Sequence, residues 1–516
     1  MLKITEIRCP LGQTLDKEKI AEKLHCAPSQ ILSYTIEREA LDAREGICHT
    51  YTVYAEVKQE ERYLHRRGVS SGKREEYQLP PQRVQDVPRP VVVGFGPAGM
   101  FAGLILAECG YRPLIIERGK AVEGRAKDVE RFFKEGILDP ESNVQYGEGG
   151  AGTFSDGKLT TRIKNIRVQK VLAELIEAGG DPAIAYQALP HLGTDVLRDI
   201  VRKIREKILA LGGEILFETR LESLKIEKGK LTGIRTSKGE IPCERVILAL
   251  GHSAQETYRT LYEQGVRIVP KDFAAGVRVE HRQSLIDGVQ YGTYAGHPLL
   301  PAASYRLTFH SGNGRGVYSF CMCPGGVVIP ASTEEGLLAV NGMSYAARDG
   351  RNANSAILVQ IPQKDFDHGH PLDGFAYQQQ LEQKAWRSAY GAPLQNIRDF
   401  CAHTSSSPVI ESSYPRETVL SDMHTLFPEE LALSLEGAFD NFERKIPGFR
   451  EEGIMVGMES RSSSPIRLPR REDGNSETLQ GLYPCGEGAG YAGGIVSSAT
   501  DGITQAERLI ASYAKL

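Results

Sequence analysis

Glycines at 94, 96 and 99, with a glutamate at 117, set the first chemical expectation for this chain. In that spacing Gly94 permits a sharp turn, Gly96 lets the backbone approach a pyrophosphate, and Gly99 lets a helix pack closely on a strand. Pro97 and Ala98 lie in the turn that leads into the helix, whose free N–H groups favour phosphate charge. Glu117 stands where a carboxylate would grip ribose hydroxyls, with Arg118 beside it. These residues predict dinucleotide binding.

A second glycine-rich stretch, Tyr146 to Arg162, repeats the fingerprint spacing at Gly147, Gly149 and Gly152. It also nearly matches a nucleotide P-loop, ending in Gly157 and Lys158. Position 159 is Leu rather than Ser or Thr, and no buried strand leads in, so ATP binding is rejected. The stretch reads instead as a backbone nest around another part of the same cofactor, with Gly149, Gly150, Gly152, Thr153, Ser155, Gly157 and Lys158 as its contacts. Gly251 closes another apolar run. Near the carboxy terminus, Gly486 and Glu487 follow a strand, and Gly493, Gly494 and Ile495 precede a helix. An acid there can accept hydrogen bonds from a polyol, while the helix start faces a flavin ring. Nicotinamide cofactors have no ribitol, so FAD accounts for both ends of the chain.

Candidates for chemistry beyond the cofactor are fewer. Cys321 and Cys323 are able to relay electrons or form a disulfide. Alternatively, as residues on one face of a strand, they are small buried hydrophobes. His252 and His191 sit near turns and suit acid–base roles near neutral pH. Arg461 and Arg467, with Arg470 and Arg471, form a cluster fit to clamp a carboxylate or phosphate, or equally to make interdomain ion pairs. The polar runs Asn341 to Ser344 and Arg348 to Ser355 are either cleft lining or loop filler. No metal site is expected, because no second cysteine pair completes one.

The elements that must position these residues follow from pattern. Val91 to Val93 is a β-branched buried strand, Met100 to Cys109 a helix, and Leu114 to Ile116 a second strand. Helices are predicted at Lys127–Glu135, Arg167–Ala178 and Leu197–Leu211, and strands at Glu214–Leu224, Lys230–Thr236 and Arg245–Leu250. Lys271 to about Val359 reads as β-rich, and a helical part follows at Tyr377–Tyr390 and Pro428–Lys445. The chain ends with a strand before Gly486 and a helix-like Ser497–Tyr513. Ahead of the nucleotide unit, Leu2–Arg8, Lys17–Leu24, Ile31–Arg38 and His49–Val57 make a small α/β unit. The charged, proline-ended stretch Glu60–Pro90 reads as a linker, locally basic at Arg66, Arg67, Lys73 and Arg74.

Composition bounds the rest. At 516 residues the chain holds two or three domains. Hydrophobic residues are 41%, charged residues 25%, and net charge is −4, which gives no broad pull toward nucleic acid or membrane. The uncharged run Val91–Ala107 falls short of the roughly 20 residues of a membrane span and contains Pro97. Nine scattered cysteines and a Met1–Pro10 stretch without an apolar core favour a reduced, cytoplasmic setting.

With these segments assembled, the chain resembles the flavoprotein superfamily whose FAD domain is shared by glutathione reductase and aromatic hydroxylases. Within it the chain is most similar to bacterial FAD-dependent dehydrogenases, or NAD(P)/FAD-dependent oxidoreductases, of unassigned substrate. GFGPAGMFAG with ERG, GEGGAGTFSDGKLTTR, LALGHSA, FCMCPGG, NGMSYAARDGRNANSA, SRSSSPIRLPR and CGEGAGYAGGI carry the likeness. The resemblance implies an α/β fold: a Rossmann-like FAD-binding domain of glutathione-reductase type, with a central parallel sheet, interrupted by a mixed α+β substrate domain. The expected division is 1–85 (small N-terminal domain and linker), 86–255 and 475–516 (FAD domain), and 256–474 (substrate domain). It further implies that Gly94, Gly96 and Gly99 hold the pyrophosphate, Glu117 the adenosine ribose, and Gly486 and Glu487 the phosphates and ribitol. Cys109 stands alone, unlike the cysteine pair of disulfide reductases. No second fingerprint docks NAD(P)H stably, so a donor binds transiently or a protein partner delivers electrons. Two functions remain open: an oxidoreductase acting on a small organic substrate, and an RNA-interaction, assembly or redox-sensing protein with structural FAD.

Overall fold

The computed structural model describes residues 1–43, 46–73, 75–82 and 87–513. Arg74 of the basic linker lies outside them. The amino-terminal unit is a four-stranded antiparallel sheet in the order Ile31–Asp42, Cys48–Val57, Leu2–Pro10, Val69–Ser71. One helix, Lys17–Leu24, covers it, and Asp16 caps that helix by accepting from the Lys19 N–H at 2.9 Å. Alternation at Tyr51, Val53, Ala55 and Val57 puts one face in the core.

The second sheet positions the glycine turns. Five parallel strands lie in the order Leu482–Pro484, Val246–Leu248, Val91–Val93, Leu114–Ile116, Glu214–Leu216. Four of the five are fully buried, as parallel strands covered on both faces must be. In chain order the sheet runs 3-2-1-4-5 from the Glu214 edge, so its topology reverses beside Val91–Val93. In open α/β sheets ligands bind past the carboxyl ends of the strands at that reversal. Helix Pro97–Glu108 is buried at every position from Ala98 to Ala107, which explains its lack of a polar face. It packs against Ile495–Tyr513 closely enough that a Cβ on Gly502 would lie 2.1 Å from the Ala98 carbonyl oxygen.

Between strands Val246–Leu248 and Leu482–Pro484 the chain builds a seven-stranded sheet. Its order is Thr308–His310, Gly316–Cys323, Asn352–Ile361, Phe273–Arg282, Ile454–Glu459, Ala392–Asn396, Thr418–Leu420, antiparallel except for the last pair. Helices Gln283–Tyr291, Asp373–Ala385 and Glu429–Lys445 accompany it, and Leu435, Phe439 and Phe442 sit in the same core as Val277 and Ile357.

Three sequence expectations need correction. The part after Val359, where the sequence pointed only to the helices Tyr377–Tyr390 and Pro428–Lys445, also contributes two central strands, Ala392–Asn396 and Ile454–Glu459; both are buried at every position and show no alternation. Glu214–Leu224 is not one strand. Glu214–Leu216 ends the parallel sheet, Glu218 takes a left-handed φ of 52°, and Leu221–Glu227 opens a separate three-stranded meander. Cys321 and Cys323 do not lie in a regular strand, because a bulge between Phe320 and Cys323 breaks the register and Cys321 has φ 44°. Among the described residues no helix is long and apolar enough to cross a membrane.

Candidate functional site

The glycine turns meet at the carboxyl end of the parallel sheet. Gly94 has φ 94°, and a Cβ there would stand 2.5 Å from the Ala249 oxygen. A Cβ on Gly99 would lie 1.9 Å from the Gly94 oxygen, so only glycine allows this approach of helix to turn. Gly96 is the helix N-cap and no side chain caps the helix, which leaves its first N–H groups facing outward. Opposite Gly96 stands Gly150, φ 60°, with its Cβ direction 3.0 Å from the Gly96 Cα. The Gly149 N–H donates to the Phe95 oxygen at 2.8 Å, tying the loop to the turn. Gly152 faces both Ile495 and Pro97, and Gly486, φ 76°, faces Ala98. Four segments remote in sequence thus surround one helix start.

A second helix start lies beside it. Gly493 and Gly494 are exposed before the nineteen-residue helix Ile495–Tyr513, and a Cβ on Gly493 would meet nothing within 4 Å. Two helix N-termini flanked by side-chain-free backbone fit an elongated anionic ligand. So does a buried polar atom left over: His252 Nε2 has no partner, while its Nδ1 lies 2.8 Å from Glu487 Oε1. The residues present fit FAD.

Glu117 is buried and already engaged. Its carboxylate accepts from the N–H groups of Phe95 (2.8 Å), Gly119 (2.9 Å) and Gly147 (3.0 Å), stapling the two glycine segments. Three of its roughly four acceptor sites are filled, so at most one remains for a ribose hydroxyl. Arg118 stacks on Tyr146, 3.8 Å from its centroid, and pairs with Glu141 and Glu256. Next to them a hollow of about 350 Å³ is lined by Arg118, Lys120, Glu141, Glu218 and Arg220, among others.

At the seam with the seven-stranded sheet lies a chain of charged groups. Asp156 is fully buried; despite that burial, Lys158, Arg348 and the Ser344 hydroxyl hold its carboxyl well below the ordinary range. Lys158 donates to Asp156 at 2.9 Å and to the Met322 carbonyl. Burial would lower the Lys158 ammonium, but Cys323, Cys321 and Asp156 outweigh it and raise it. Arg278 bonds the Cys321 carbonyl (2.9 Å), Asn354 (3.0 Å), Asn341 (2.9 Å) and Glu459 (2.9 Å). Asn341, Ser344, Arg348 and Asn354, drawn from the two polar runs, therefore all reach this network.

Other sequence candidates sit differently. Arg461 is buried against Glu382 at 2.8 and 2.7 Å, with Thr333 at 2.7 Å, because a buried guanidinium needs a counter-charge. Arg467 lies over Tyr491 and bonds the Gly490 carbonyl, and Arg470 pairs with Asp501. The Thr153 hydroxyl donates to the Glu148 carbonyl, and Ser155 and Gly157 form a turn, Ser155 Oγ accepting from the Gly157 N–H at 3.0 Å. Gly251 is exposed with open space around it. His191 is lowered by burial and by Arg348, which keeps it neutral at pH 7. Cys109 is buried and pushed up to about 11. Sequence reasoning missed Arg278, Glu459 and Asp156. A charged residue inside a strand of buried neighbours was the available signal for the first two.

Residues 272–462 match the model of the family described as "FAD-dependent protein, C-terminal domain-like". An uncharacterized protein of Clostridium beijerinckii is 44% identical over 99% of both chains. This chain belongs to the same family. By the description of the matched model, the segment over residues 272–462 is that of an FAD-dependent protein. A monomeric sarcosine oxidase from a Bacillus species is 22% identical over 43% of this chain and 68% of its own. Among solved structures, glycine oxidase from Bacillus cereus aligns over 83% of this chain and 96% of its own, at 13% identity and a TM-score of 0.34.

Proposed function

We propose that this protein is an FAD-dependent oxidoreductase that passes hydride to or from a small organic substrate at the seam between the parallel and seven-stranded sheets. The observation that carries the reading is the meeting of Gly96, Gly150, Gly152, Gly486 and Ile495 around one uncapped helix start. When bound, FAD supplies hydride acceptance or donation at its N5 atom. The protein's residues supply the setting. The Gly96 turn and the facing Gly150 loop hold the pyrophosphate, and the second N-terminus at Ile495 stabilises negative charge at the ring end. Glu117 fixes the adenosine end by locking both glycine segments, and the hollow beside Arg118 takes the base. Glu487 orients His252, leaving Nε2 as the ring atom able to hold or release a proton. Lys158, Arg278 and Arg348 outnumber Asp156 and Glu459 at the seam, an excess of positive charge suited to an anionic substrate.

Electrons enter from transiently bound NAD(P)H or a protein partner. Anaerobic mixing of the yellow protein with NADH or NADPH, followed by a panel of small amino and hydroxy acids or quinones, tests this. Bleaching that reverses on adding an oxidant supports catalysis. Flavin that no donor or substrate bleaches refutes it and favours structural FAD.

A further inference from the structure

Cys321 and Cys323 stand at the irregular end of the strand Gly316–Cys323. Alternate residues of an extended strand hold their Cβ atoms on one face but too far apart for sulfur contact. Here the bulge after Phe320 and the left-handed Cys321 (φ 44°) break that spacing, and the Cys323 thiol turns back to donate to the Cys321 carbonyl oxygen at 3.2 Å. A left-handed conformation is unfavourable for a non-glycine residue and persists only where the surroundings impose it. They do so through Arg278 on the Cys321 carbonyl, Lys158 on the Met322 carbonyl, and Gly326, whose Cβ would stand 2.9 Å from that of Cys323. The two sulfurs also differ in access. Cys321 is half-buried and Cys323 is fully buried.

We propose that Cys321 and Cys323 form a redox-active dithiol, Cys321 attacking a small disulfide and Cys323 resolving the product. The Cys321 thiolate bonds one sulfur of RSSR and expels RS⁻. Cys323 then attacks the Cys321 sulfur, giving up its proton, and expels the second RS⁻. One disulfide forms in the protein as one breaks in the reagent; the dithiol loses two electrons and the reagent gains them. The charge environment agrees with these roles. The neighbouring Cys323, then Lys158 and Arg278, overcome burial and lower the Cys321 thiol well below its ordinary value, while Cys321 and burial raise Cys323. The inference is independent of bound flavin.

The probe is 2-hydroxyethyl disulfide added to the full-length protein, followed by peptide mass mapping. The wild type should lose the mass of two hydrogens in one peptide linking Cys321 to Cys323, and Cys323→Ser should keep a mixed disulfide on Cys321. Iodoacetamide at pH 5.5 should label Cys321 at least about tenfold faster than half-buried Cys401, which burial pushes up to about 12. Lys158→Met should shrink that advantage. A wild type that keeps both thiols free or holds a lasting mixed disulfide, or labelling no faster than at Cys401, overturns the proposal. The wild-type map decides even where a variant fails to fold.

Discussion

Substituting Gly96 by alanine separates a binding role from a structural one. Gly96 sits at φ −76° and ψ −176°, a conformation alanine adopts freely, and the new Cβ would come no nearer than 3.7 Å to any atom, the Gly150 Cα. The fold should register only the exchange of one helix-capping residue for a poorer one, a loss of about 1 kcal/mol at most. The methyl group would nonetheless fill the space between the two glycine segments where the pyrophosphate is proposed to lie. Losing one charge-assisted hydrogen bond there costs about 1.5–3 kcal/mol, roughly a ten- to hundredfold rise in Kd for FAD. Titrating stripped protein with FAD by fluorescence quenching, alongside urea unfolding, reads both quantities. Tight FAD binding by a normally stable Gly96→Ala would refute the placement of the phosphates in this gap.

Gly99→Ala should behave differently. Its Cβ meets backbone at 1.9 Å, so overpacking of about 1–3 kcal/mol should outweigh the gain in helix propensity of about 1 and lower Tm as well as FAD content. Glu382→Ala should cost about 3–5 kcal/mol in urea unfolding by leaving Arg461 charged and unpaired in the interior. Glu148 is pushed from 4.5 to about 7, chiefly by burial, so the folded state holds its proton longer than the unfolded state does. Stability contributed through this group therefore falls by about 3 kcal/mol as pH rises from 4.5 to 7 and is flat above. Glu148→Gln should remove that slope, as chemical unfolding at several pH values would show.

The fold is legible in the sequence where local chemistry and tertiary position coincide. Val91–Val93, Gly94, Gly96, Gly99 and Glu117 lie within one strand–helix–strand unit, and each glycine's packing follows from its place in that unit. The convergence of Gly150, Gly152 and Ile495 on Gly96 was legible only as a shared ligand, since no local pattern brings them together. The strands Ala392–Asn396 and Ile454–Glu459 were missed because full burial erases alternation. Glu117 illustrates a different limit. Its place after a strand pointed to ribose, yet three backbone N–H groups claim it in the fold. For Arg461 the sequence left a substrate clamp and an interdomain ion pair both open, because the partner it has in the fold, Glu382, is far away in sequence on another element.

The account stands most directly on cofactor content. Protein purified without denaturant should show the flavin absorbance bands, and native mass spectrometry should find one FAD per chain that heat releases intact. Colourless protein that fails to take up added FAD would contradict it.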